Sequence, residues 1–258
     1  RSPANIESGE AINFTFVSPD GQGDGLSPQS PTSLEQLSAS DHAYLSLLPG
    51  EYTIPTTFAE IGQRDLVIVS PCWATATIFL SNTLDLTNRE WVVLSGLTVQ
   101  AGELSEPIVI NSAQSERVLI QETMINAGGN QVAVAAGGVG GLTLEQVIIE
   151  EADLGLITGA MDTVMRRLWV REVTEAGVIA LDSAAMEQLD YQDSPADHIK
   201  QRVIGSQCVV DGGSVSPKAG MIFARVNAAL DQIHVTHIAN EQRALKNGAI
   251  VAINSHLK

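Results

Sequence analysis

Aromatic side chains are scarce in this chain of 258 residues: they make up 4% of it, within an apolar content of 44%. Its interior must therefore be filled by Val, Ile, Leu and Ala. Basic residues are scarce too, 14 against 30 acidic ones, for a formal net charge of -16. Such a field repels phosphate backbones and argues against a nucleic-acid partner. No apolar run reaches the roughly 18 residues that cross a bilayer, so no membrane span is expected. No cleavable signal with a basic start and an apolar middle is visible either. The chain starts at Arg1 in a polar stretch, and a signal removed ahead of it stays open. The only cysteines, Cys72 and Cys208, are too few for a disulfide scaffold.

What is present is a repeat. Six segments share short β-branched runs: GLTVQ, TMINA, QVIIE, RLWVR, QCVVD and THIAN. With Leu97, Met124, Val147, Leu168, Cys208 and His237 as equivalents, the spacings are 27, 23, 21, 40 and 29 residues. A second run follows each: EPIVI, NQVAV, LGLIT, AGVIA, AGMIF and NGAIV, the last three aligning Gly177, Gly220 and Gly248. Runs this short, alternating with period two, read as strands. Two or three strands per repeat describe one coil of a solenoid, and the absence of long amphipathic stretches excludes helical repeats. The expected fold is all-β: a single domain over 1–258 forming a right-handed, single-stranded parallel β-helix. Residues 1–60 would supply an N-terminal strand, turn and short capping helix, and 61–258 the coils.

Three columns are expected to face the coil interior. One holds the equivalent residues themselves. Another holds Val93, Ile120, Thr143, Val164, Ile204 and Ile233, four positions earlier. The third holds Val99, Asn126, Ile149, Val170, Val210 and Ala239, two positions later. The long interval before Cys208 contains the polar stretch 186–202, read as an excursion loop with Asp190, Tyr191, Asp193, Asp197, His198 and Lys200. Cys72 precedes Cys208 by about five coils, on the order of 24 Å along the axis at strand spacing. That is too far for a disulfide, so both are expected as free thiols, Cys208 in the core.

The opening FVSPDGQGDGLS, then TSLEQLSAS, then LLPGEYTI, resembles the start of secreted pectin-lyase-like β-helix proteins over about 45 residues. The resemblance implies a first strand at Phe14–Val17, a capping helix at Ser33–Ser40 and a turn at Pro49, Gly50 and Tyr52 that begins the first coil. A cap is also what physics asks for, because the open end of a solenoid exposes apolar side chains and unpaired backbone. Leu34 and Leu37 would face inward, with Ser33 or Thr32 as N-cap. Many members of that group are extracellular polysaccharide lyases, hydrolases, epimerases or carbohydrate binders. Their clustered aspartates, asparagine ladder and Arg-Pro strand end are missing here. The resemblance therefore implies a secreted, periplasmic or cell-surface location more directly than an activity.

Asp20, Gln22, Asp24 and Gly25 match the first half of a calcium EF-hand loop, but the twelfth position is Pro31 and not Glu. No cofactor is expected; calcium stays open with no complete motif behind it. His234 and His237 sit three apart, which on a strand points the rings to opposite faces, a poor arrangement for one metal.

Chemistry-bearing candidates fall in two groups. Asp153, Glu175, Lys218 and Lys246 stand just ahead of the aligned glycines, one per coil in one column. There the lysines would receive a uronate carboxylate, and Glu175 or Asp153 would do acid–base work. The alternative is a solvated turn. Arg166, Arg167 and Arg171 form the one basic cluster, and alternation points Arg167, Trp169 and Arg171 outward. Trp169 would stack on a sugar face while Arg171 steadies an enolate in a lyase reaction. Against that, Arg171 falls between Glu150 and Asp211 of neighbouring coils, a ready salt-bridge ladder. The same outward column, Thr98, Ile125, Ile148, Trp169, Val209 and Ile238, is apolar where it should be polar. It would be covered by the protein's own chain or by a second copy in a homo-oligomer. Two functions remain: a carbohydrate-recognising protein acting on a uronate polysaccharide as a lyase, or a non-enzymatic adhesin-like or oligomerising module using that stripe.

Overall fold

The computed structural model describes residues 12–71, 75–182, 201–212, 219–236, 248–253 and 255–257. They form a parallel β-solenoid of about seven turns. Every strand pairing among the described residues is parallel, each coil lying in register on the next. A coil has three faces. In one coil these are Trp91–Ser95, Leu97–Ala101 and Ile108–Asn111. Further along the axis the strands Gly141–Thr158 and Asp162–Leu181 run through all three faces without a break.

A continuous strand can turn corners because single residues adopt the left-handed conformation. Between the first and second faces stand Gly96, Glu122, Gln146, Arg167, Gln207 and Gln232, with φ of 73°, 48°, 54°, 52°, 52° and 52°. Left-handed geometry costs a non-glycine residue about 1–2 kcal/mol, a cost offset here by the ladder on either side.

This bend also resets the alternation of side chains, which overturns one expected column. Val93, Thr143, Val164 and Ile204 share a register line, and Val164 and Ile204 are half-exposed on the outside of the first face. The interior of that face is Val92, Val118, Leu142, Thr163 and Val203, together with Leu94, Leu144, Met165 and Ile120, the last inside as expected. On the second face the interior columns run Leu97, Thr123, Val147, Leu168, Cys208, Ile233 and Val99, Ile125, Ile149, Val170, Val210, Val235. Met124 and Asn126 are therefore outside, contrary to expectation, and Thr123 is inside. Its hydroxyl is satisfied there by donating 2.7 Å to the Gln121 carbonyl. Cys208 is a buried free thiol, as its column required, and burial pushes its pKa up. Cys72, His237, Ile238 and Ala239 lie outside the described residues. So does the expected excursion, except that Gln201 is described and Arg202 already opens the strand Arg202–Ser206.

On the third face Gly155, Gly177 and Gly220 stack so closely that a Cβ on Gly155 would come within 2.5 Å of the Gly177 carbonyl oxygen. Gly248 pairs with Ala219 and so sits one position ahead of that column.

The N-terminal region closes one end. The strand Thr15–Val17 lies parallel to His42–Leu47. The Gly-rich stretch after it doubles back as a ribbon: the amides of Gly23 and Gly25 donate to the carbonyls of Pro31 and Ser30 at 2.7 and 2.8 Å. Any side chain on Gly21 or Gly23 would strike Thr32 or Ser30. Asp24 accepts from the Leu26 amide at 3.1 Å, and this bond with that of Ser30 holds its carboxyl below its ordinary pKa. The expected capping helix is only a 3-10 turn, Leu34–Gln36, and Ser33 makes no side-chain cap bond. Leu34 is nonetheless buried, and Leu37 packs against the core.

Candidate functional site

The second face presents three outward lines. Its middle line, in register, is Thr98, Met124, Ile148, Trp169, Val209 and His234. The expected apolar stripe is thus present, with two changes of member. Ile125 belongs to the core, 0% exposed, because the register sets Met124, and not Ile125, beside Thr98 and Ile148. At the far end His234 holds the position expected of Ile238. Met124, Ile148, Trp169 and Val209 are half-buried.

Two polar lines flank the stripe. On the bend side are Glu122, Gln146, Arg167, Gln207 and Gln232; on the other are Gln100, Asn126, Glu150, Arg171, Asp211 and Thr236. Together they outline an open groove of about 520 Å³ lined by Glu122, Gln146, Ile148, Trp169 and Arg171. Glu122 and Gln146 were not legible as site residues. The signal was the polar or glycine residue standing immediately before each interior run, which reads as a bend only once its φ is known.

The arginines of this face are engaged. Arg171 pairs with Glu150, its register neighbour. Arg167 reaches Glu145 at 3.0 Å from its place in the bend, and not by strand alternation as expected. Asp211 follows Arg171 in the same line. Arg166 falls on the first-face side of the bend, in register with Glu145 and Ser206.

Asp153 and Glu175 do not reach this groove. They sit at a bulge on the way to the third face, where Leu154 pairs with Ala176 after Ala152 has paired with Val173. The Asp153 carboxylate accepts from the Thr174 hydroxyl. Lys218 and Lys246, expected in the same column, lie outside the described residues.

Sequence reasoning missed a polar cluster on the first face. The Asp65 side chain, 3% exposed, meets His42 Nδ1 at 2.8 Å. In the adjoining line the Tyr44 hydroxyl is buried without a hydrogen-bond partner. Burial, reinforced by the Asp65 charge, raises the Tyr44 pKa. Phe14 packs edge-on against Tyr44 at 6.3 Å, and with Ile12 it covers Tyr44, Val67 and Val93. Further along, Arg117 lies 5.7 Å over the Trp91 ring beside a depression of about 870 Å³ lined in part by Gly138, Gly140 and Gly141. Among the described residues no group of three or more His, Cys, Asp or Glu side chains is placed to hold a metal, and no helix is long and apolar enough to cross a membrane.

Comparison with protein-family models finds none that matches this chain, and comparison with curated proteins finds no match either.

Proposed function

We propose that this protein recognises a polysaccharide laid along the solenoid axis on its second face. The observation that carries this reading is the ordering of that face: an apolar line with Trp169 at its centre, edged on both sides by long polar side chains. A pyranose has the matching character, with an apolar ring face and a rim of hydroxyls. Trp169 offers a stacking surface, while Gln146, Asn126 and Gln100 offer amides that both donate and accept. Coils rise by about 4.8 Å, close to the length of one sugar, so successive coils can meet successive units. A secreted, periplasmic or cell-surface location goes with this reading and with the resemblance of the opening residues to pectin-lyase-like proteins.

Recognition, and not catalysis, is the function assigned. Among the described residues of this face, Arg171, the cation expected to steady an enolate in a lyase, is already joined to Glu150.

The test is calorimetric titration with a panel of uncharged and uronate oligosaccharides, on the native chain and on Trp169→Ala, with light scattering on both. Binding to a glycan that weakens in Trp169→Ala while the fold persists supports the reading. If no glycan binds and the chain is a stable oligomer that Trp169→Ala dissociates, the stripe is a subunit interface and the reading fails. Unsaturated uronate products at measurable rates would restore the lyase in its place.

A further inference from the structure

We infer that the groove is built for an uncharged glycan and excludes uronate chains; this rests on the carbohydrate reading above. Three carboxylates, Glu122, Glu150 and Asp211, stand in the lines that flank the apolar line, against the two guanidiniums of Arg167 and Arg171, while Glu145 and Arg166 are register neighbours on the far side of the bend. Both arginines are held by carboxylates of the preceding coil, Arg167 by Glu145 and Arg171 by Glu150. A uronate would have to displace Glu150 to reach Arg171, and it would do so next to Asp211 and inside the field of a chain of net charge -16. Carboxylate recognition by arginine gains its strength from a bidentate fork, and at Arg171 part of that fork already belongs to Glu150.

The remaining chemistry of the groove suits hydroxyls. Gln146 stands in the bend line and Asn126 and Gln100 in the opposite line, none of them charged. Glu122 and Glu150 can accept hydrogen bonds from sugar hydroxyls without any charge on the ligand. The Glu150–Arg171 pair then acts as a selectivity device: it neutralises a cation that would attract an acidic chain and leaves the polar atoms of both groups at the rim.

The probes are oligomers of β-linked glucose, xylose, mannose and N-acetylglucosamine, with oligogalacturonate, oligoalginate and deacetylated glucosamine oligomers as charged arms. Binding is measured by calorimetry between roughly 0.1 M and roughly 1 M salt, where the screening length falls from about 10 to about 3 Å. An uncharged oligomer should bind best, and its affinity should change less than about twofold across that range, since no ligand charge is screened. Trp169→Ala should weaken it about tenfold or more, the equivalent of about 1.4 kcal/mol. Glu150→Gln should create salt-sensitive uronate binding that the native chain lacks, because it releases Arg171. If Glu150→Gln does not fold, Glu145→Gln reads the same balance at Arg167, which it releases in the same way; a folded variant that gains no uronate binding overturns the inference. Preferred binding of an oligouronate or of a cationic oligomer by the native chain, weakened by salt, overturns the inference while sparing carbohydrate recognition. Failure of every probe to bind overturns both.

Discussion

The hydroxyl of Tyr52 donates at 2.9 Å to the carbonyl of Val17, 35 residues away, and is within 2.6 Å of the Leu48 carbonyl. One phenol thereby ties the first full coil to the strand that caps it. Tyr52 is 2% exposed, and burial pushes its pKa from 10.0 up to about 12.

That shift sets the sign of an alkaline transition. The folded pKa lies above the unfolded one, so the associated stability is fully present below pH 10.0 and is lost as pH rises towards about 12. Denaturant midpoints measured across that window should fall by the equivalent of about 2–3 kcal/mol, at about 1.36 kcal/mol per pH unit. Tyr52→Phe should flatten this part of the curve. At neutral pH the same variant should be about 1 kcal/mol less stable, because the one proton shared between the Val17 and Leu48 carbonyls is lost while Val17 keeps the Leu48 amide as donor.

Arg89 is 4% exposed and donates from Nη1 to the Ile61 carbonyl at 2.8 Å and to that of Gly62. Desolvation lowers its pKa, yet the guanidinium stays charged at any physiological pH. Arg89→Met should lower stability by about 2–4 kcal/mol, since both turn carbonyls are left buried without a donor. Arg89→Lys should recover only part of it, because one ammonium nitrogen can serve both carbonyls as Nη1 does but leaves the space of the guanidinium plane unfilled. Equilibrium unfolding in urea distinguishes these outcomes, and a Lys variant as stable as the native chain would refute the account.

The bend column offers an internal control. At Gly96, φ is 73° and an added Cβ would come within 2.5 Å of the Ser70 carbonyl oxygen. Gly96→Ala should therefore cost more than about 2 kcal/mol, combining a left-handed conformation with a backbone clash. In the same column Gln146→Gly should change stability by less than about 1 kcal/mol, as relief of left-handed strain is set against the greater freedom of glycine in the unfolded chain. Melting curves of the two variants check the contrast.

Cys208 reports on the core without disturbing it. It is 0% exposed, and burial raises its thiol pKa. In a Cys72→Ser background, a thiol reagent should leave native protein unlabelled for as long as the fold persists and label it at once in denaturant. Rapid labelling of the native state would show that the coil interior opens locally.

The solenoid was legible because its repeat is carried by runs such as QVIIE and RLWVR, whose alternation survives any small error in alignment. The register of single residues was less so. Aligning Met124 with Leu97 and Val147 looked sound because methionine is the more apolar neighbour, yet the core accepts Thr123, whose hydroxyl folds back on its own strand. The same slip put Ile125 on the surface. The reversal at Val93, Val164 and Ile204 has another cause: alternation assumes a straight strand, and no residue type announces a left-handed bend when Glu, Gln and Arg all serve. The pairing of Arg171 with Glu150 could be foreseen from coil spacing alone. The His42–Asp65 contact could not, because His42 lies in the opening segment, ahead of the coils on which the repeat was aligned.

The register lines bear on how such a protein changes length. Because bends, core columns and groove lines all recur coil by coil, removing the stretch from Val147 to the residue before Leu168 would bring equivalent positions together and shorten the groove by one step without moving its walls apart. Duplication would lengthen it in the same way. The span of ligand that the face can hold is thus a countable property, open to adjustment by whole units, while the chemistry met at each step stays fixed by one residue per line.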